Sequence, residues 1–374
     1  YRKAIEIKPV FAEAHFNLGN ILKDLGKLQD AELSYHKAIE IKSNYADAHS
    51  NLGTILEDLG KLQEAELSLR TAIELNPNFS IAHSNLGNVC SDLGKLQEAK
   101  SFWLKAFELN PKLDENNFVL AEQFYYEHKY ELAISYLKGN NHNRSQSLYL
   151  SCLLCLDKKK EFDQKYLEFS ERGICNAEIG GVIEHANIIY EANYNSSFCN
   201  EAIKYVHWDN INEESFSTYH LNQLISYLQD CPEGNRSQGL LTQGIQTSGN
   251  LFSLNFPFII SIKKALECKI EIYKKKFKDS AQGFISNWPE NYELRSWMIS
   301  MKSGGFLTQN NHEYGWITGS YYLQVPKYKN NDDSGSIAFS YKGPKYPSKK
   351  KNFNSTIKKV ATRDICIFPS SLFH

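Results

Sequence analysis

The residues best suited to chemistry in this sequence are two histidines. His312 stands in QNNHEYGWITGSYYLQVP (309–326), just ahead of a run rich in aromatic and β-branched residues, and His374 closes FPSSLFH (368–374), 62 residues on. The run alternates with the period of two expected of a strand. If such strands pair antiparallel around a common core, both imidazoles can reach one mouth. Two or three ligands with coordination positions left open suit a divalent transition metal that must also hold exchangeable small molecules.

The elements that would position this pair begin near residue 235, where composition shifts. From CPEGNRSQGLLTQGIQTSGNLFSL (231–254) onward, Gly, Ser, Asn and aromatic residues rise, and the helical period survives in one more segment, roughly 257–278. Short alternating segments follow at 292–302, 316–326, 334–341, 355–360 and 363–368, separated by glycine pairs, NNDDSG and GPKYP, which read as turns. The expectation is an antiparallel sandwich or barrel behind a helix. Alternation puts Trp316, Thr318, Ser320 and Tyr322 on one face, with Ile317, Tyr321, Leu323 and Val325 on the other.

The first third of the chain is built differently. NLG recurs at 17–19, 51–53 and 85–87, and DLGKLQ at 24–29, 58–63 and 92–97, a period of 34 residues with Pro9, Pro77 and Pro111 at unit boundaries. This pattern resembles the tetratricopeptide repeat, a pair of helices stacked into a superhelix. Leu18, Gly19 and Leu22 of the first helix should face Ala31, Tyr35 and Ala38 of the second, and Gly26, Gly60 and Gly94 should end each first helix. A divergent fourth unit at 118–138 carries Ala121 at the glycine position. The expected organisation is repeats over 1–138, irregular or divergent helices over 139–235, and the β domain over 236–374. Opening on KAIEIKP, the tail of a second helix, and without Met, the chain is expected to be a fragment.

Asn17, Asn51 and Asn85 should line the concave face of the superhelix. They are similar to the asparagine ladder of the O-linked N-acetylglucosamine transferase repeats, where amides that donate and accept at once can hold an extended chain without reading its side chains. A protein or peptide partner is the expectation for this face; a merely solvated surface is the alternative. His15, His49 and His83 share the period, but successive copies lie about a repeat apart, too far to share a metal.

Bulk properties narrow the partners. The 374 residues are 42% hydrophobic, and 42 Lys plus Arg balance 43 Asp plus Glu, so no basic footprint for nucleic acid or an anionic membrane is present. No apolar run of eighteen residues occurs and the start lacks a signal-peptide pattern, so a cytoplasmic protein is expected. The eight cysteines follow no framework spacing and read as reduced thiols. Cys152 and Cys155 of CLLC lie in an apolar run and read as core.

The C-terminal part also resembles a family: the 2-oxoglutarate- and Fe(II)-dependent oxygenases that occur behind tetratricopeptide repeats in bacteria. GGFLTQNNHEYGWITGSYYLQVP (304–326), SGSIAFSY (334–341) and FPSSLFH carry the likeness in order, with QGIQTSGNLF, WPENYELRSWMISMKSGG and YKGPKYP upstream or between them, so it spans about 236–374. It implies a double-stranded β-helix (jelly roll), here truncated at its C-terminal side, and a hydroxylase that consumes 2-oxoglutarate and O2 at Fe(II), with succinate and CO2 as products. Residue by residue, His312 matches the second histidine of the family's His-x-His, and His374 the histidine closing FPSxLxH. Asn310 stands where the first histidine is expected. A carboxamide oxygen is a weaker Fe(II) ligand than imidazole, so either His312, His374 and a third group hold the metal or the site is degenerate. Tyr322 is a candidate hydroxyl donor to the cosubstrate, and the family's basic partner for 2-oxoglutarate would lie past residue 374. Arg363 reads as a turn or edge charge. The alternative function is a non-catalytic tetratricopeptide scaffold. A repeat-bearing glycosyltransferase or sulfotransferase would need alternating βα units, which 236–374 lacks.

Overall fold

The computed structural model describes residues 1–229, 235–236, 241–247, 250–310, 312, 315–326, 335–343, 346–349 and 351–374. Cys231, Lys350 and 330–334 of the NNDDSG turn lie outside them. The chain divides into two compact units, Tyr1–Cys152 and Leu153–His374.

The first unit is all helix. After α1 (Arg2–Ile7) come four antiparallel pairs: α2 and α3 (Ala12–Asp24, Leu28–Ile41), α4 and α5 (Ala46–Asp58, Leu62–Leu75), α6 and α7 (Ser80–Asp92, Leu96–Leu109), and α8 and α9 (Asp114–Tyr126, Tyr130–Leu137), followed by α10 (Asn143–Cys155). The pairs close up because one helix carries glycine where the other carries its largest side chain. A Cβ on Gly19 would lie 2.6 Å from the Tyr35 ring, and Gly53 and Gly87 are pressed as closely by Leu69 and Trp103. Tyr35 and Trp103 then donate to the Asn20 and Asn88 amide oxygens at 2.8 and 2.9 Å, so each ring is both buried and hydrogen-bonded.

Gly26, Gly60 and Gly94 end the first helices as expected, with φ near +70° to +77°. The Lys27 amide reaches back to the Leu22 carbonyl and the Gly26 amide to that of Lys23, and the same pair of bonds recurs at 60–61 and 94–95. This is the Schellman cap, which needs a left-handed residue and so favours glycine. In the fourth pair His128 occupies that position with φ 59°.

The second unit opens with α11 (Lys159–Glu171) and α12 (Ala177–Tyr190), then strand β1 (His207–Asn210), α13 (Thr218–Gln229), β2 (Asn235–Arg236), β3 (Leu241–Thr247), α14 (Pro257–Lys276) and the single turn α15 (Gly283–Ser286). Strands β4 (Ile299–Leu307), β5 (Ile317–Tyr321), β6 (Ser336–Ser340), β7 (Ser355–Lys359) and β8 (Asp364–Pro369) complete it. All pairings are antiparallel, in the orders β1-β8-β5, β2-β3-β4 and β6-β7. β8 runs buried through the middle of its sheet, and its Ile365, Ile367 and Phe368 pack with Phe339 and with Ile259, Ile262, Ile270 and Tyr273 of α14 in one core.

Two expectations about strands are corrected. Residues 292–298 are irregular and the strand starts at Ile299, because side chains cap that backbone: the Asn250 Oδ1 accepts from Ser296 N at 3.0 Å and the Thr247 Oγ1 from Met298 N at 2.9 Å. The Gly304–Gly305 pair lies inside β4 and makes a bulge rather than a turn. Thr242 pairs with Phe306 and Gly244 with Met301, so 302–305 bulge opposite Gln243, and Gly304 adopts φ 79° to do so. β1, with no alternation to announce it, supplies an edge partner to β8.

Candidate metal centre

FPSSLFH is placed by a tight turn. The Leu372 amide bonds the Pro369 carbonyl at 3.0 Å, which reverses the chain at the end of β8. Phe373 then pairs with the end of β6 through Ser340 N to Phe373 O at 2.9 Å, and His374 exchanges two backbone bonds with Asn310, at 3.0 and 2.9 Å. The turn after Asn310 is closed by Gly315 N to His312 O at 2.9 Å. It packs on Ser370, whose hydroxyl lies 2.7 Å from that of Thr318; any side chain at Gly315 would strike it.

These constraints bring the two histidines together, with ring centroids 5.1 Å apart and planes inclined by 33°. Trp297 lies 5.3 Å from the His312 ring, and Phe368 and Phe339 lie 4.8 and 6.5 Å from that of His374. In this aromatic surround burial, and then the neighbouring His312, holds His374 down to about 3, and burial lowers His312 as well. Both rings are therefore neutral near pH 7, the state in which imidazole ligates.

The donor set fits a divalent metal. His374 Nδ1 and Asn310 Oδ1 are both buried without a hydrogen-bond partner. Such orphaned atoms are costly in a native structure unless something else satisfies them. Both are lone-pair donors, and they belong to residues whose backbones are bonded to each other. A different cluster, Glu66, Cys90 and Glu98, is the one group of three or more His, Cys, Asp or Glu side chains among the described residues close enough for an ion. Arg70 bonds both carboxylates at 2.8 and 2.5 Å and Lys95 lies 2.7 Å from Glu66, so that cluster is already neutralised.

Models of the tetratricopeptide repeat match 19–60, 46–79, and 1–32 with 68–101, and the model described as "Putative 2OG-Fe(II) oxygenase" matches 295–374. The chain carries tetratricopeptide repeats followed by a 2OG-Fe(II) oxygenase domain. No curated protein matches it. Among solved structures it is similar to Pseudomonas aeruginosa pilF, at 26% identity and TM-score 0.43 over 48% of this chain and 83% of that one. It is also similar to YrrB, titled a TPR protein with an unusual peptide-binding site, at 24% and 0.35 over 45% and 87%. The first TPR of Spaghetti (RPAP3) bound to an HSP90 peptide aligns at 26% and 0.30 over 31% and 93%.

Other candidate residues fall as follows. Tyr322 lies in the seam between β5 and β8, its amide bonded to Asp364 O at 2.9 Å and its ring half-buried against the core of the oxygenase domain. Arg363 is not an edge charge. Its guanidinium donates to the carbonyls of Ile211 and Phe216 at 3.1 and 2.5 Å and to Glu213 and Thr218 at 2.7 and 3.1 Å, tying the 211–218 loop to β8. In the repeats Asn51 and Asn85 each commit one amide N–H within the array, to Asn20 Oδ1 at 2.9 Å and Thr54 Oγ1 at 3.0 Å, and Asn17 is half-buried at the equivalent place. His15, His49 and His83 place Nε2 3.0 Å from the carbonyls of Pro9, Ser43 and Pro77. Asn117, one period further, does the same for Pro111 at 2.7 Å, so these positions tie down turns between helices.

Sequence reasoning passed over His185. It lies in GGVIEHANIIY of α12, far outside the resemblance, and only its isolation in an apolar helix hinted at it.

Proposed function

We propose that the second unit is a 2-oxoglutarate- and Fe(II)-dependent hydroxylase whose metal is held by His312, His374 and the carboxamide of Asn310. The observation that carries this reading is the pair of neutral imidazoles 5.1 Å apart with orphaned donor atoms on His374 and Asn310 beside them. When bound, Fe(II) with 2-oxoglutarate supplies the oxidation in which one atom of O2 enters a substrate C–H bond and the other enters succinate, with release of CO2. The chain's own residues orient and dry the site. The 310–374 backbone pairing fixes the two side chains relative to one another, and Trp297, Phe339 and Phe368 keep water from the ring faces. Tyr322 is the candidate hydroxyl for the cosubstrate. A double-stranded β-helix is the architecture these antiparallel pairs fit.

The repeats, in the same proposal, capture a polypeptide or protein partner. One N–H of the Asn51 and Asn85 amides is committed within the array, which orients them, and the remaining N–H and oxygen suit the backbone of an extended chain. A cytoplasmic setting accords with the reduced-thiol reading of the cysteines, and no helix among the described residues is long and apolar enough to cross a membrane.

Asn310 favours a second reading, a scaffold whose oxygenase domain takes no metal, because a neutral amide oxygen binds Fe(II) weakly. Anaerobic Fe(II) titration with 2-oxoglutarate, read by the visible charge-transfer band and by succinate release, decides between them. The hydroxylase reading expects one Fe(II) per chain, lost about 100-fold in affinity in His374→Ala, and tighter binding in Asn310→His. Wild-type protein that binds no more iron than His374→Ala leaves the scaffold.

A further inference from the structure

We propose that His185, at the middle of α12, is a positioning residue for the metal pair, holding the 341–347 turn that in turn fixes Phe373 and His374; this rests on the metal-binding reading above. His185 is fully buried. Its Nδ1 accepts the Gly343 amide at 3.1 Å, which puts the ring proton on Nε2, 3.0 Å from the Pro347 carbonyl, while the Tyr341 carbonyl lies 3.2 Å from Nδ1. Tyr346 and Phe353 enclose the ring at 5.0 and 4.7 Å. Burial lowers its pKa, in keeping with this neutral tautomer. One imidazole thus acts as acceptor and donor to a turn more than 150 residues away in sequence.

That turn grips the histidine-bearing segment. It leaves β6 at Ser340, whose N–H bonds the Phe373 carbonyl at 2.9 Å. Gly343 leaves room for the Tyr346 ring and for Phe373, whose Cζ would lie 3.0 Å from any Cβ there, and the Tyr346 and Phe373 rings stand 6.0 Å apart. One turn earlier on α12, Gly180 lies against Ser371, which would sit 3.3 Å from a Cβ at 180. α12 therefore touches Ser371 directly and controls Phe373 through the turn, and His374 is the next residue. Nothing in this chain of contacts carries charge to the metal. The effect is orientational, and metal sites lose affinity when the shell that orients their ligands is loosened.

Co(II), whose visible d–d bands report coordination geometry, is the probe, titrated into the full chain with His374→Ala as the blank. His185→Ala is expected to weaken Co(II) binding about 10-fold and to alter the bands. His185→Gln, whose amide N–H can replace the donor to Pro347, is expected to recover part of the loss. Phe353→Leu loosens the same packing but keeps both hydrogen bonds; it is expected to lower Tm while leaving affinity within about twofold. Should His185→Ala fail to fold, His185→Asn keeps the acceptor for Gly343, loses the donor to Pro347, and carries the test with a smaller loss. Wild-type affinity in the His185 variants, or an equal loss in Phe353→Leu, overturns the proposal. If the unaltered chain takes no Co(II), the metal reading fails separately and amide hydrogen exchange reads the positioning role. Faster exchange at Ser340 and His374 in the His185 variants upholds that role, and unchanged exchange overturns it.

Discussion

Histidine does opposite work in the two units. In the repeats His15, His49 and His83 each bond a carbonyl six residues back, the same bond made three times and a fourth time by an asparagine. In the β unit His185 bonds a turn 158 residues ahead, and His374 meets Asn310 and His312 across the sheet. A side chain answered inside its own period is structural, because a solenoid is held together by neighbours alone. One whose partners come from remote segments sits where the tertiary fold has assembled something. The contrast separates the periodic histidines from those able to hold a metal without any appeal to residue type.

Breaking the local side of this contrast should give the largest effect. Gly87→Ala improves helix propensity by about 1 kcal/mol, yet its Cβ would occupy the space of the Trp103 indole, which must leave its slot and its bond to Asn88. A net loss of about 2–3 kcal/mol in the repeat unit, read by urea denaturation, is expected, with Co(II) binding by the β unit unchanged. An intermediate effect lies in the β unit at Glu184, beside His185. Its Oε1 accepts the Ala202 amide at 2.9 Å, its Oε2 has no partner, and burial pushes the carboxyl up to about 8. Because the folded-state value is raised, the stability from the neutral carboxyl is full below the ordinary value of 4.5 and is lost as pH rises through 8. Glu184→Gln is neutral at every pH, so it should raise Tm by about 4 °C at pH 9 and change it little at pH 5, as calorimetry would show. The smallest change sharpens the periodic side: His128→Gly restores the residue its left-handed φ of 59° favours. It should stabilise the fourth helix pair by about 0.5–1 kcal/mol, measured as a higher urea midpoint.

How much could be read beforehand follows the same division. The repeats were open to inspection because helix pairs depend on contacts within some thirty residues, and the glycine–aromatic complementarity of Gly19 with Tyr35 is written in one period. Helix α14 was likewise visible from its own amphipathic pattern. β1 was hidden because four residues, HWDN, become a strand only through pairing with β8. The Gly304–Gly305 pair was taken for a turn because a bulge is defined by the strand opposite, here at Gln243. Arg363 looked like a surface charge because the carbonyls that bind it belong to residues 211 and 216.

The sequence alone determined that a 34-residue helical array precedes a β-rich region, and it pointed to His312 and His374 as a possible pair, since propensity, periodicity and motif are properties of adjacent residues. Only the tertiary structure decided that the two rings lie 5.1 Å apart, that Asn310 faces His374 through paired backbones, and that a histidine in α12 stands behind them. The physical reason is that orphaned donors, burial and the neutral state of an imidazole are set by what the chain folds against them, and for these residues that is chain from the far side of the sheet.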